Sequence, residues 1–153
     1  MSGNELKERM VDNYSDEYLR DILTEVKSIA VVGASLKSQR DSYKVIKTLI
    51  DHGYKVIPVN PNEVGKNILG RYFYRDLNSI DEPVDMVDVF RSNDAVIRVT
   101  EEAIKIGAKV LWTQLDIINE EAANLAEKAG LKVVMDRCPK IELAKPYWTT
   151  NEN

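Results

Sequence analysis

The residues of this chain best suited to chemistry lie in five short segments far apart in sequence: Gly33-Ala34-Ser35, Val59-Asn60-Pro61, Phe90-Arg91-Ser92, Trp112-Thr113-Gln114 and Asp136-Arg137-Cys138. Arg91 and Arg137 bring planar forks that make paired, charge-assisted hydrogen bonds to phosphate. The amides and hydroxyls around them offer polar contacts, and an aromatic ring and a proline could cover the faces of a base. Lys37, Arg40 and Lys44 follow the first segment closely and suit a ligand with more phosphate than a plain dinucleotide carries. The chemistry these types point to is recognition of a phosphorylated nucleotide. Other chemistries lack their residues. His52 is the sole histidine, which removes a His-based triad and a phosphohistidine relay. With Cys138 the sole cysteine, the two fall short of a zinc-site spacing.

For these segments to meet, each must end a strand of one sheet. Ser28–Val32 is a short apolar run that stops at Gly-Ala-Ser, the pattern of a buried strand running into a tight loop. Ser42 then opens an amphipathic helix with Val45, Ile46, Leu49 and Ile50 on one face, closed by Gly53. Tyr54–Val59 makes a second strand. In a right-handed crossover the loop after the first strand lies over the helix N-terminus, where free N–H groups and the positive end of the helix dipole favour a phosphate.

The alternation continues with a third strand over 84–90, a helix over 93–107 and a fourth strand over 109–113. A helix capped by Asn119 and ended by Gly130, then a fifth strand over 131–135, complete it. Residues 4–26 read as a preceding helix with Ser15 as an N-cap and Tyr18, Leu19, Ile22, Leu23 and Val26 as its core stripe. Residues 60–67 form a loop, 76–81 a short helical turn, and 136–153 a tail partly extended over the body. The fold class is α/β, a doubly wound parallel sheet of five strands with helices on both faces and expected order 3-2-1-4-5. It is a single domain over 1–153, with 1–27 an N-terminal helical segment and 136–153 a C-terminal tail. In such a sheet, ligands bind beyond the carboxyl ends of the strands where the strand order reverses.

A net charge of −4 gives no bulk attraction to nucleic acid, and no run approaches the eighteen or so apolar residues of a membrane span. The first thirty residues, dense in charge, hold no signal-peptide core. A lone cysteine forms no internal disulfide and fits a cytoplasmic setting. On base rates the oligomer to expect is a homodimer.

A nicotinamide cofactor is the first alternative. The loop Gly33-Ala34-Ser35-Leu36-Lys37-Ser38 lacks the second and third glycines of G-x-G-x-x-G, and Asn60 stands where a ribose-binding acid is expected. An NAD(P)-binding oxidoreductase and an interaction module with a vestigial cleft remain as rivals.

The segments AVVGAS (30–35), PVNP (58–61), PVDMVDVFR (83–91), GAKVLWTQ (107–114), NEEAANLAEKAG (119–130) and VVMDRCPKIE (133–142) resemble the small CoA-binding domain proteins. These are similar to the N-terminal domain of succinyl-CoA synthetase alpha subunits. The resemblance implies a Rossmann-like domain that binds coenzyme A or an acyl-CoA without catalysis of its own. It implies that Gly33, Ala34 and Ser35 hold the pyrophosphate, with Lys37, Arg40 and Ser42 close by. Val59, Asn60 and Pro61 would take the adenosine side, Phe90 and Arg91 would continue the pocket, and Gln114 and Arg137 would flank the pantetheine path.

Asp116 departs from the family's usual glycine and is expected to narrow the cleft or repel a phosphate. Cys138, at the end of the fifth strand, is either a buried, inert thiol or one able to form a mixed disulfide with the ligand's thiol under oxidation. Asp88 shares a strand face with Met86 and Phe90 and calls for a buried partner. His52 is expected at the surface, and Trp112 in the core.

Overall fold

The structure, a computed structural model, describes residues 14–146. Its centre is a parallel sheet in which β1 (Ser28–Val32) is buried along its whole length. β1 pairs with β2 (Lys55–Val59) on one side and with β5 (Met86–Val89) on the other. β6 (Val110–Thr113) and β7 (Lys132–Val134) extend the sheet beyond β5. Alternate residues of each strand face opposite sides. Ala30, Val32, Val87, Val89 and Leu111 pack under α3 (Asn93–Lys105) and α4 (Glu120–Lys128). Ile29, Val31, Met86, Trp112 and Val134 pack under α1 (Asp16–Glu25), α2 (Asp41–Asp51) and the five-residue α5 (Pro139–Leu143).

Ser15 caps α1 by accepting from the Tyr18 N–H, and Asn119 caps α4 by accepting from Ala122, as their residue types predict. Within the tail, Pro139 starts a short helix at the position where a missing N–H costs nothing. The helical reading of 4–13 and the course of 147–153 lie outside the described residues.

The order of the five parallel strands is 2-1-3-4-5, counted along the chain, and not 3-2-1-4-5. Pro58 accounts for the difference. A proline in a strand has no N–H to donate and is tolerated where that side faces away from the sheet. The Pro58 carbonyl points outward, accepting from the Tyr74 N–H at 3.0 Å, so β2 ends the five-stranded ladder. Its outer edge is covered by a single bridge to Tyr74. The connection from β2 to β5 contains no α-helix. It runs through a 3-10 turn at Pro61–Glu63, a hairpin of β3 (Asn67–Ile68) and β4 (Arg71–Tyr72), and a second 3-10 turn at Leu77–Ser79. The chain then crosses to the far side of β1. The strand order therefore reverses between β1 and β5, and the loops after those two strands frame the crevice.

Candidate functional site

The loop after β1 is built by close approach. Gly33 has φ +87°, and a Cβ there would lie 2.4 Å from the Phe90 carbonyl oxygen, so only glycine lets the β1 and β5 loops touch. Phe90 N–H donates to the Val32 carbonyl at 2.8 Å, while Gly33 and Ala34 N–H both donate to the Val59 carbonyl. Asn60 completes the seam: its Nδ2 donates to the Ala34 carbonyl and its Oδ1 accepts from Asn62 N–H. Ser35 N–H donates to Ser42 Oγ, and Lys37 N–H to Ser35 Oγ. The amides of Gly33, Ala34 and Ser35 are thus engaged within the protein. The loop amides with no protein acceptor among the described residues belong to Leu36, Ser38 and Gln39.

Against this seam lies a cleft of about 590 Å³, a size usual for small-molecule sites. Its floor is apolar, made by Val32, Val59, Leu77 and Val99. Gly33 and Arg91 form one end, and the Arg91 stem reaches within 3.2 Å of where a Gly33 Cβ would stand. Arg75 and Asp76 contribute from the β2 side, and Asp94, Arg98 and Glu102 from α3. The acids are held in place by the protein itself. Asp76 Oδ1 accepts from Ser79 N–H, and Glu102 Oε1 accepts from Leu77 N–H, which ties the 3-10 turn to α3. Burial pushes the Asp76 carboxyl up, but hydrogen bonds from Ser79 and the charge of Arg75 outweigh it and hold the group below its usual range. Asp94 is also lowered, by the Ser92 hydroxyl first, then its own N–H and the charge of Arg91.

Of the residues expected at the site, Gly33, Val59, Pro61 and Arg91 line this cleft. Ala34, Ser35, Ser42 and Asn60 shape the loop behind it. Lys37 and Arg40 are exposed beside the loop and are not among the lining residues. Phe90 offers its backbone to Gly33 while its ring packs on the α2 side of the sheet.

Arg137 and Gln114 sit elsewhere. The Arg137 guanidinium lies 5.1 Å over the Tyr14 ring and donates from Nη1 to the Asp136 carbonyl. Gln114 is buried, with its backbone N–H on the Val89 carbonyl and its Oε1 without a partner among the described residues. Asp116 is not among the residues that line this cleft. It is exposed, at φ +70°, with its N–H donating to Asp136 Oδ1 at 2.6 Å; the left-handed backbone is the reason a glycine would be at home there. Cys138 is a buried free thiol, Trp112 is fully buried with Nε1 donating to the Arg137 carbonyl, and His52 is exposed at the end of α2. Asp88 lacks the partner expected of it: it is fully buried, and neither carboxylate oxygen has one among the described residues.

Sequence reasoning missed Arg75, Asp76, Arg98 and Glu102. The signal for the last two was present. Ala95, Arg98, Val99 and Glu102 recur at helical spacing along α3, one stripe over from its core face.

A five-stranded parallel sheet flanked by helices, with an apolar cleft at its strand reversal, places the chain in the doubly wound α/β class. Residues 27–144 match the CoA binding domain family, and the chain belongs to it. It is 39% identical over 131 residues to the uncharacterized protein YneT of Bacillus subtilis (strain 168), covering 86% of this chain and 96% of that one. It is 35% identical over 125 residues to the alpha subunit of an ADP-forming acetate–CoA ligase I of Pyrococcus furiosus. That match covers 79% of this chain but only 25% of the ligase subunit. A solved structure of a hypothetical protein from Pyrococcus horikoshii OT3 superposes with a TM-score of 0.81 at 44% identity, covering 88% of this chain and 93% of that one.

Proposed function

We propose that this protein binds coenzyme A or an acyl-CoA in the cleft beyond the carboxyl edge of its sheet, as a binding module without catalysis of its own. The observation that carries the reading is the cleft itself, at the strand reversal, with an apolar floor and Arg91 beside the Gly33 turn, in a chain of the CoA binding domain family. An adenosine would rest on Val59, Pro61 and Leu77. A diphosphate would lie between Arg91 and the amides that follow Ser35, at the N-terminal end of α2. The mapping of the expected residues onto a bound ligand is part of this proposal, including Gln114 and Arg137 on the pantetheine side.

Nicotinamide cofactors are the rival, and Asn60 counts against them. Both ends of its side-chain amide are engaged, Nδ2 on the Ala34 carbonyl and Oδ1 capping its own 3-10 turn, at the position where a dinucleotide-binding domain presents an acid to the ribose. The buried free thiol of Cys138 fits a reducing compartment, and we place the protein in the cytoplasm.

Calorimetric titration with CoA, acetyl-CoA, NAD and NADP tests the reading. Saturable binding of CoA or acetyl-CoA is expected. Binding of NAD or NADP with no response to either CoA species would replace it with the oxidoreductase reading, and no binding at all would leave a protein-interaction module.

A further inference from the structure

The cleft carries cations in two places. Arg91 stands beside Gly33, after β1 and β5. Arg75 follows Tyr74, which pairs on the outer edge of β2, so it lies two strand spacings from Gly33, about 10 Å. Arg98 belongs with Arg75. Leu77, two residues after Arg75, donates its N–H to Glu102, and the other oxygen of Glu102 faces Arg98. The Leu77–Glu102 hydrogen bond thus ties together the two segments that carry these arginines.

Each guanidinium meets its acid at Nε and keeps its Nη edge outward. Arg75 meets Asp76 at 3.5 Å, and Arg98 meets Glu102 at 3.8 Å. Among the described residues no Nη group of either arginine donates a hydrogen bond. The acids are occupied by backbone N–H groups, so they position the turn and α3 as much as they offset charge. Two planar forks with free outer edges, set apart from the arginine at the glycine turn, fit a second anionic group on the same ligand.

We propose that Arg75 and Arg98 form a phosphomonoester subsite that reads a phosphate carried on the ribose of the bound nucleotide. The proposal rests on the CoA reading for its ligand, since CoA carries such a group and dephospho-CoA does not. It assigns the extra phosphate to the β2 side of the cleft, away from Lys37 and Arg40, the cations nearest the loop in sequence.

Affinities of the full chain for CoA, dephospho-CoA, NADP and NAD test it, in wild type, in Arg75→Ala/Arg98→Ala and in Lys37→Ala/Arg40→Ala. All four side chains are exposed, so thermal melts of the variants should match wild type. Wild type should favour CoA over dephospho-CoA by about tenfold or more, the worth of a charge-assisted contact. In the Arg75/Arg98 variant that ratio should collapse toward one with dephospho-CoA affinity unchanged; in the Lys37/Arg40 variant the ratio should persist. Equal affinity of wild type for CoA and dephospho-CoA, a ratio that survives loss of Arg75 and Arg98, or one lost with Lys37 and Arg40 would overturn the subsite while leaving CoA binding intact. Preference for NADP over NAD that vanishes with Arg75 and Arg98, with no CoA binding, would support the subsite and overturn the CoA reading. Failure of all four nucleotides to bind overturns both.

Discussion

Gly33 holds the two central loops together through what it lacks. A methyl group there meets the Phe90 carbonyl at 2.4 Å and must adopt a φ near +87°, a conformation side chains avoid. Gly33→Ala should cost about 2–4 kcal/mol in urea unfolding, the range of a steric clash added to backbone strain. A loss under about 0.5 kcal/mol would mean that the β1 and β5 loops part easily. Asp88 poses a different question, because burial alone drives its carboxyl well above the usual range. An acid raised in the folded state binds its proton more tightly there than in the unfolded chain, so stability declines as pH rises above the unfolded value near 4. Asp85 works in the opposite sense: burial raises it, but N–H donors from Lys27 and Ser28 and the charge of Lys109 prevail and lower it. Its contribution is present above its unfolded value and is lost as pH falls through the folded one. Comparing wild type with Asp88→Asn cancels Asp85 and isolates the buried group. The variant should melt higher at pH 7, with the gap closing toward pH 4. A variant that melts lower at pH 7, with the deficit shrinking as pH falls below 4, would reveal an ionic partner for Asp88.

At the scale of elements, the caps show how local chemistry fixes the frame of the cleft. Asn119 accepts from Ala122 N–H at the start of α4, and its Nδ2 donates to the Asn93 carbonyl at the start of α3. Asn119→Ala should therefore cost about 1–2 kcal/mol, the upper half of the range for a lost cap. Asn119→Ser, which keeps an N-capping oxygen, should lose about half as much in the same denaturation series. Equal losses would show that the tie between helices, and not the cap, carries the effect. Caps of this kind are legible in sequence because residue type and position suffice to read them; Ser15, Asn119 and the apolar strand runs all locate their elements. Strand order is not local. It depended on the link from β2 to β5, where strands of two residues are too short to show a period. The clue lay in Pro58, whose missing N–H requires an outer edge. The same segment hid half of the cleft, since Arg75 and Asp76 reach it only because the chain folds back along β2. Gly33 and Arg91 were readable because each directly follows a strand at the reversal. Gln114 and Arg137 follow strands too, but β6 and β7 lie beyond it.

Across the whole molecule the cleft is one-sided. Its lining comes from residues 32–102, contributed by β1, β2, the 3-10 turn at Leu77–Ser79, the loop after β5 and α3, and none comes from β6 onward. Ligand binding should therefore be visible as a gradient in hydrogen exchange. At a CoA concentration of 100 times the dissociation constant, amides that exchange only by global unfolding gain about 2.7 kcal/mol of protection wherever they lie. Loop amides exchange by local opening and report contact instead. Those of 36–41, 60, 62, 75–77 and 91–95 should slow on addition of CoA where the nucleotide lies, and those of 114–118 and 136–138 where the pantetheine arm passes. Slowing confined to the first set would place the nucleotide on the α3 face of the sheet with the thiol arm leading away from the protein body. Slowing of 114–118 and 136–138 as well would carry the pantetheine arm across the sheet edge to Gln114 and Arg137, and the unpaired Oε1 of Gln114 would then have an amide N–H of the ligand to accept from.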